Sequence, residues 1–525
     1  MRPIVLSGFM ATGKSTVGPR LAARLDVPFV DTDAEIERAS GRTVPDLWRE
    51  AGEAAFRARE GALVAELLRD GAPRVIAFGG GTVTVEKTRR FAIDRAHVVT
   101  LTASPETVAA RVPDVAGRPN LALGGDPVAR AAELLAERAA AYAECHLALS
   151  SEALDPDAVV DAIAAMVERE PLLVPLGERS YTIDVCDDEP SRLTDAIARC
   201  APSSVVLVTD SNVQRARGAA IEAALQPLAI PGTRVTLPPG ERQKTLASAS
   251  TIWDAALGAG VDREALVLAA GGGVVGDLAG FAAACLLRGV RFIQVPTTLL
   301  AMVDASVGGK TGFDHPAGKN LVGAFHQPSA VVADLAHLDT LPARERTSGL
   351  AEIVKIALTS DAALLARLER DAPALARGDH EALAPVVRAA IEAKIRVVRD
   401  DEREAGVRAL LNLGHTIGHA LEAHGAYGRW LHGEAVALGV VAELEAGVRL
   451  GWTPPAVAER ARALLAALGL PTRVDASELA ASWPYVATDK KRAGNALRLP
   501  IVTAAGEAHV EKVRVEALHL AVLPT

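Results

Sequence analysis

Three groups of residues in this chain have types and spacings that could do chemistry. Near the start, Gly8-Phe9-Met10-Ala11-Thr12-Gly13-Lys14-Ser15 fits G-x-x-x-x-G-K-[ST], with an apolar run before it and a helical pattern after it. In that setting the backbone N–H groups wrap phosphates, Lys14 brings positive charge, and the Ser15 hydroxyl is placed for Mg2+. Farther on, Gly271-Gly272-Gly273-Val274-Val275-Gly276-Asp277 contains G-x-G-x-x-G directly after the apolar run Ala265–Ala270. A standard dinucleotide turn wants an acidic residue about 20 positions later, and the chain lacks it. A nucleotide turn of another arrangement is expected, with Pro239-Gly240-Glu241-Arg242-Gln243-Lys244 supplying ribose contacts. The third group is Glu352-x-x-Lys355, then Asn412-Leu413-Gly414-His415-Thr416-Ile417-Gly418-His419, then His432-Gly433-Glu434. Histidine is scarce, 12 in 525 residues, so its clustering asks for an account. His415 and His419 stand four apart on a helical pattern and share a face. Spacing alone makes them a zinc pair, with capping or core histidines as the alternative.

Smaller features surround these. Asp31-Thr32-Asp33 follows the second apolar run, where carboxylates hold Mg2+ or a substrate hydroxyl, or cap a helix. Phe56-Arg57-x-x-Glu60 comes next, then Gly79-Gly80-Gly81-Thr82 after a strand pattern, where a ligand approaches the backbone closely. Arg118-Pro119 lies in the Gly/Pro/Asn stretch Pro113–Pro127, which suits a mobile lid, and Arg138 falls on a helical pattern. In the second half, the glycine-rich run Pro296–Gly312 with Lys310, and then Lys319-Asn320, offers an envelope for an anion.

The elements that must position these residues are legible as patterns. Ile4–Leu6, Phe29–Val30, Val75–Phe78 and Val98–Leu101 read as short buried strands alternating with helical patterns, which means βαβ units and a parallel sheet. An amphipathic helix over Asp157–Glu168 runs into Pro171, and Pro171 and Pro175 flank a short linker. Ser204–Thr209, Thr233–Leu237, Ala265–Ala270 and Phe292–Val295 read as a second strand set. After about Leu335, Ala/Leu/Glu/Arg patterns dominate and β-branched runs become rare until Leu497–Val502, the profile of an all-α domain. The fold class is therefore α/β: a parallel-sheet phosphate-loop domain, an α/β nucleotide-binding domain, then an all-α metal-binding domain. The expected boundaries are 1–168, a linker 169–176, 177–335 and 336–525.

Composition bounds the function. A chain of 525 residues that is 50% hydrophobic has material for several buried cores and is not a mostly disordered chain. Only 3% is aromatic and the net charge is −9, which argues against a stacking platform or a basic surface for nucleic acid. Anionic small molecules stay admissible, since local Lys/Arg clusters catch them. Cys145, Cys186, Cys200 and Cys285 are scattered without a CxxC pair and read as reduced thiols. No run approaches the roughly 18 apolar residues of a membrane helix. The chain reads as soluble and cytoplasmic, with no nucleic-acid or membrane partner.

Together GFMATGKST, DTD, FRARE, GGGT, the lid RPN and ERAAAY resemble shikimate kinase over about residues 1–168. The resemblance implies ATP-dependent phosphorylation of shikimate. Ala11, Thr12, Gly13, Lys14, Ser15 and Thr16 would take the ATP phosphates, Asp31 would assist Ser15 with Mg2+, and Arg118 would close over ATP. Asp33, Arg57, Gly79, Gly80, Gly81 and Arg138 would hold the substrate's hydroxyls and carboxylate. Family lids usually read Arg-Pro-Leu; here Asn120 follows Pro119. The chemistry agrees from below, since phosphoryl transfer needs positioning and charge neutralisation, which Lys14, Mg2+ and Arg118 supply while Asp33 orients the attacking hydroxyl.

Residues 172–525 closely resemble 3-dehydroquinate synthase, and the resemblance replaces the spacing-based zinc pair. It implies Glu352, His415 and His432 as ligands of zinc, or cobalt in its place, with His419 on the substrate phosphate; three protein ligands leave the metal an open position. NAD+ would lie against Glu241, Lys244, Gly273, Val274, Val275, Gly276, Asp277, Thr297, Thr298 and Thr340, with Lys310 and Lys319 nearby. The substrate, the phosphorylated seven-carbon sugar acid DAHP, would meet Asp304, Lys310, Asn320, Lys355, Lys394, Arg408, Asn412, His419 and one of Lys490 and Lys491. Arg288 would reach the phosphate in a neighbouring subunit, which implies a homodimer.

The combined expectation is a bifunctional enzyme of the route to chorismate and the aromatic amino acids. Its two reactions are not consecutive, so channelling is not implied. The rival is a phosphate-loop kinase of another small alcohol fused to a metal-dependent polyol dehydrogenase, and the anion cluster Lys310/Asn320/Lys355/Arg408 discriminates, because a polyol would not need it. A scaffold that has lost kinase catalysis is opposed by the intact Lys14, Ser15, Asp31, Asp33 and Arg138.

Overall fold

The computed structural model describes residues 1–112, 126–152, 154–316, 318–404, 406–486, 496–523 and the backbone of 492–493. Arg118, Asn120, Lys490 and Lys491 lie outside the described residues. The chain divides into two compact units, Met1–Thr182 and Ile183–Thr525.

The first unit is built on five parallel strands: β1 (Ile4–Ser7), β2 (Phe29–Asp31), β3 (Val75–Ala77), β4 (His97–Thr102) and β5 (Leu147–Ser150), in the order β2-β3-β1-β4-β5. Side chains alternate across a strand, so a strand buried on both faces reads as a continuous apolar run. Ile4 and Leu6 pack with Val17, Leu21 and Ile163 in one core. Val5 points the other way, with Phe9, Val64, Ile76 and Leu134. Helices thus cover both faces, and β1 is central. The loop after β1 therefore opens at the carboxyl end of the sheet, where ligands bind in open α/β folds. The expected strands coincide with β1 to β4, whereas β5, short, half-exposed and free of β-branched residues, has no strand signal in the sequence. Leu172–Val174 forms β6.

In the second unit a sheet runs in the order β7-β14-β11-β10-β8-β9. Its strands are β7 (Tyr181–Cys186), β8 (Val205–Asp210), β9 (Gly232–Leu237), β10 (Leu266–Gly271), β11 (Arg291–Pro296) and β14 (Ala330–Asp334). The run from β9 through β8, β10 and β11 to β14 is parallel. β12 (Lys310–His315) and β13 (Gly318–Phe325) form an antiparallel hairpin beside it. β8 to β11 match the four expected strands.

The C-terminal portion is helical, and the long elements Ala343–Ser360, His380–Asp400 and His432–Arg449 bury mostly apolar residues together with Glu352, Lys355, Lys394 and Glu443. The late apolar run adds a small antiparallel sheet, β15 (Arg492–Ala493), β16 (Ala496–Ala504) and β17 (Glu507–Arg514). Among the described residues no helix is long and apolar enough to cross a membrane.

Candidate functional sites

In the first unit the phosphate loop joins β1 to helix Lys14–Leu25. Gly8 has φ 130°, and a Cβ there would stand 2.2 Å from the Leu101 carbonyl oxygen, so only glycine fits. Gly13, at φ 90°, ends the loop as the helix N-cap. Lys14 Nζ donates to the carbonyls of Gly8 and Phe9, each at 2.7 Å, and Thr12 Oγ1 ties Phe9 O at 2.8 Å. The lysine thus arches over its own loop, where phosphates would sit.

Asp31 serves two roles. Its Oδ1 accepts from the N–H groups of Asp33 and Ala34, capping helix Thr32–Ser40, while Oδ2 accepts from Ser15 Oγ at 3.4 Å. Capping and pairing with the loop serine are both present in one carboxylate.

Asp33, Arg57, Arg138 and Gly79 to Gly81 line one cavity of about 960 Å3 together with Ala11, Gly13, Lys14, Ser15, Thr16 and Asp31. Gly80 O accepts from Arg138 Nη1 at 3.2 Å and from the Tyr142 hydroxyl. Arg57 pairs with Glu60 and Glu53 and packs against Trp48 and Phe56. Glu60 of Phe56-Arg57-x-x-Glu60 carries no chemistry legible from its spacing. It is 1% exposed, binds Thr82 Oγ1 at 2.7 Å, and holds Arg57 toward the cavity. Arg111 also lines the cavity, bonded to Ala11 O at 3.2 Å and to Ser151. A lone arginine at a helix end carried no signal in the sequence.

In the second unit a cavity of about 590 Å3 opens where β8 and β10 end. Glu241, Lys244, Gly273, Val274, Val275, Asp277, Thr297, Thr298, Asp304, Lys319, Asn320, Thr340, His419 and His432 line it. Gly276 faces away: a Cβ there would stand 2.8 Å from Gln294 Oε1, so this glycine lets the helix pack on the sheet. Lys244 Nζ is shared by Asp277 Oδ2 and Asn320 Oδ1, each at 2.6 Å. An acid from elsewhere in the chain does border this cavity. Asp210 ends β8, the parallel neighbour of β10, and lines the same cavity. It precedes the glycine turn in the chain, so a search downstream does not find it.

Behind the cavity lies a charged floor. Lys355 (1% exposed) pairs with Glu352 (0%), Lys394 pairs with Asp304, and Arg408 reaches Gly308 O at 3.2 Å and Glu402 O. Lys310 Nζ donates to Glu404 Oε2 at 2.5 Å, and Asn412 Nδ2 to Glu404 Oε1 at 3.0 Å. Lys310, Lys355, Lys394, Arg408 and Asn412 do not themselves line the cavity, and Glu404 went unread in the sequence. Arg288 sits in the turn after helix Gly273–Cys285, at φ 68°, and does not line the second unit's cavity.

Glu352, His415 and His432 come from three helices, yet one donor atom from each lies within 4.8 Å of the others. His415 Nε2 is 3.7 Å and His432 Nε2 3.4 Å from Glu352 Oε1. The opposite nitrogens are engaged: His415 Nδ1 with Leu413 O at 3.2 Å, His432 Nδ1 with Glu422 Oε2 at 3.2 Å. Both Glu352 oxygens are buried, in ion contact but without a hydrogen bond of good geometry. Two imidazoles and a buried carboxylate whose donor atoms converge fit a zinc-like cation. Burial alone would lower the His432 pKa, but Glu422 and Glu352 raise it to about 10. His419, the i+4 partner of His415, falls instead in a second group with Glu422 and His432. Helical spacing pointed to this helix, and the structure places His415 and His419 in separate donor groups that share His432.

Residues 10–168 match the family model for shikimate kinase, 234–348 that for the 3-dehydroquinate synthase N-terminal region, and 349–492 that for its C-terminal region. A 3-dehydroquinate synthase from Halorhodospira halophila is 49% identical over 340 residues, covering 64% of this chain and 94% of the relative. The chain belongs to the 3-dehydroquinate synthase family. Its first unit is a shikimate kinase domain joined ahead of the synthase. Among solved structures, 2-epi-5-epi-valiolone synthase from Streptomyces hygroscopicus, with NAD+ and Zn2+ bound, is 29% identical with a TM-score of 0.59, over 66% of this chain and 97% of its own. A 2-deoxy-scyllo-inosose synthase complexed with carbaglucose-6-phosphate, NAD+ and Co2+ is 25% identical with a TM-score of 0.62, over 67% and 99%. The synthase match decides against the fused polyol dehydrogenase.

Proposed function

We propose that the chain is a bifunctional enzyme that phosphorylates shikimate with ATP and converts DAHP to 3-dehydroquinate and phosphate. The synthase half carries the reading through one observation: a Glu-His-His cation site beside a nucleotide-sized cavity, with the buried cations Lys355, Lys394 and Arg408.

In the kinase part, Lys14 and the loop N–H groups hold the phosphates, with Ser15 and Asp31 on Mg2+. Arg57, fixed by Glu60, and Arg138 hold the substrate carboxylate. Asp33 orients the hydroxyl to be phosphorylated. Arg118 is proposed to close the site.

In the synthase part, Glu352, His415 and His432 would hold zinc or cobalt, and Asp210, Glu241, Lys244 and the turn at Gly273 would hold NAD+. When bound, the ion polarises the hydroxyl being oxidised and the nicotinamide accepts and returns the hydride. Lys310, Lys394, Arg408 and Asn320 hold the anionic ends of the substrate. His419 meets its phosphate. Glu404, held below its ordinary pKa by Lys310 despite burial, stays ionised between Lys310 and Asn412 and is placed to accept a proton. Closing these groups around one ligand supplies the orientation each step needs.

We further propose a homodimer through the synthase part, with Arg288 serving the partner's site. The exposed Leu321 (49%), Val322 (38%) and Phe325 (46%) on β13 support a contact surface there. The free thiols Cys145, Cys186, Cys200 and Cys285 support a cytoplasmic setting. The proposed working boundaries stay 1–168, 177–335 and 336–525.

The test is a pair of assays on the full chain: shikimate-dependent ADP formation, and phosphate release from DAHP with NAD+ in catalytic amount. Stoichiometric NADH accumulation on a polyol would defeat the synthase half, and ATP turnover unchanged by shikimate would defeat the kinase half.

A further inference from the structure

Glu422 belongs to none of the roles assigned above, yet its surroundings are specific. It lies on helix His415–His424 with its side chain 5% exposed. Its Oε2 is 3.2 Å from His432 Nδ1, and its Oε1 accepts from Lys319 Nζ at 3.4 Å. The same ammonium is 3.1 Å from Glu241 Oε1 and 4.3 Å from the Tyr427 ring centroid. On its other side, His432 Nε2 stands 3.4 Å from Glu352 Oε1. A continuous line of ionic contacts therefore runs from the wall of the nucleotide cavity to the cation site: Glu241, Lys319, Glu422, His432, Glu352.

A neutral imidazole carries its proton on one nitrogen and a lone pair on the other. A carboxylate accepting at Nδ1 fixes the proton there and turns the Nε2 lone pair toward the cation, and its charge makes the imidazole a stronger donor. Glu422 occupies that place, but it shares its charge with Lys319. Lys319 in turn lines the cavity, where an anionic dinucleotide competes for the ammonium. Once Lys319 turns to the nucleotide, more of the Glu422 charge acts on His432 and its neighbour His419.

We propose that Glu422 is a positioning residue for the divalent metal, and that through Lys319 it makes nucleotide and metal strengthen each other's binding. This rests on the synthase reading, which places the ion on Glu352, His415 and His432. The coupling is reciprocal by thermodynamic necessity, so the factor by which NAD+ tightens zinc is the factor by which zinc tightens NAD+.

The experiment measures zinc affinity of the full chain by chelator competition, with and without NAD+, in wild type, Glu422→Gln and Glu422→Asp. Wild type should bind a single zinc in the synthase half, about fivefold tighter with NAD+. Glu422→Gln should bind zinc about 10–100-fold more weakly, lose the NAD+ effect, and show a shifted visible spectrum when loaded with Co2+. Its NAD+ affinity without metal should be no weaker than wild type, since Lys319 is then released from Glu422, and that retained affinity reports an intact fold. Glu422→Asp should recover part of the loss. Adding Lys319→Met to Glu422→Gln should cost no further zinc affinity, because the two act in series. Unchanged zinc affinity and an undiminished NAD+ effect in Glu422→Gln would overturn the proposal. So would a second zinc in wild type that disappears in Glu422→Gln, since Glu422 would then be a ligand. A wild-type chain that binds neither zinc nor NAD+ would sink the synthase reading itself, which keeps the two failures apart.

Discussion

Lys394 is clamped to Asp304 at two points, the carboxylate and the main-chain carbonyl, so that one ammonium fixes both the side chain and the backbone of the turn that lines the nucleotide cavity. Burial alone would raise the Asp304 pKa, but Lys394 and Lys355 hold it well below the ordinary carboxylate range. The lysine takes the opposite consequence. Burial pushes its pKa down to about 8 from 10.5, against the pull of Asp304.

That depression predicts a pH limb. A base whose folded pKa is lowered is favoured neutral in the fold. Its stabilising contribution is full above pH 10.5 and is lost as pH falls through about 8. Anion binding needs the opposite form. As pH rises past about 8, Lys394 loses its proton and KM for DAHP should climb while the fold gains slightly. Lys394→Arg, charged throughout, should abolish that limb in a KM–pH profile even if its overall affinity is poorer. A limb that survives in the Arg variant belongs to another group.

The cation site and the phosphate loop belong to different units, so their losses should be separable. Glu352→Gln removes the one anionic ligand of the Glu-His-His set. It should release zinc and lower synthase kcat by about 10³-fold or more, the several kcal/mol a Lewis acid supplies. Shikimate phosphorylation should be untouched. Lys14→Ala should do the reverse, costing the kinase about 10²–10³-fold as the loss of one preorganised donor does, with phosphate release from DAHP unchanged. Metal analysis with paired assays checks both, and joint loss in either variant would contradict independent sites.

Gly81 tests the positioning of Arg57. A Cβ at Gly81 would stand 2.0 Å from Arg57 Nη2, and the glycine's φ of −112° is one any residue adopts. The backbone therefore tolerates Gly81→Ala, and the guanidinium must yield. KM for shikimate should rise about tenfold, the worth of one charge-assisted hydrogen bond of roughly 1.5 kcal/mol. The melting temperature of the kinase unit should scarcely move. Unchanged KM would remove Arg57 from the substrate site.

What the sequence disclosed follows from chain distance. The phosphate loop was legible because strand, glycines, lysine and helix are contiguous, and the hydrophobic strands because β1 and β10 are buried on both faces. Glu352 and His432 are brought together only by helix packing, so periodicity pointed to His419, and family resemblance was needed to name the set. Asp210 escaped notice because the strand beside β10 comes earlier in the chain. The hairpin β12–β13 was hidden by its glycines and its exposed outer strand. Glu422 and Glu443 look like solvated glutamates in a helical pattern, and only burial marks them as parts of the machinery, while the half-buried Glu404 is marked by its bonds to Lys310 and Asn412.

Glu443 gives the sharpest test of how the metal helix is held. Seven per cent exposed, it projects from helix His432–Arg449 onto the start of helix His415–His424. Its Oε2 accepts from Gly414 N at 2.8 Å, and its Oε1 from Thr416 N at 3.1 Å and Ile417 N at 3.3 Å. The metal helix has no capping side chain of its own, since its N-cap is Gly414, so these first-turn N–H groups depend on a carboxylate from the next helix. The two helices meet closely there: a Cβ at Gly439 would stand 1.9 Å from Gly414 O. Glu443→Ala leaves three buried donors without an acceptor and should cost the synthase unit about 3 kcal/mol, whereas Glu443→Gln, which keeps one oxygen, should cost about 1 kcal/mol. Because His415 opens that helix, zinc affinity should fall in the same order. Urea unfolding followed on the synthase transition, with zinc release read in parallel, measures both. Equal stability in the two variants would mean that the charge and the second oxygen of Glu443 do not hold the metal helix in place.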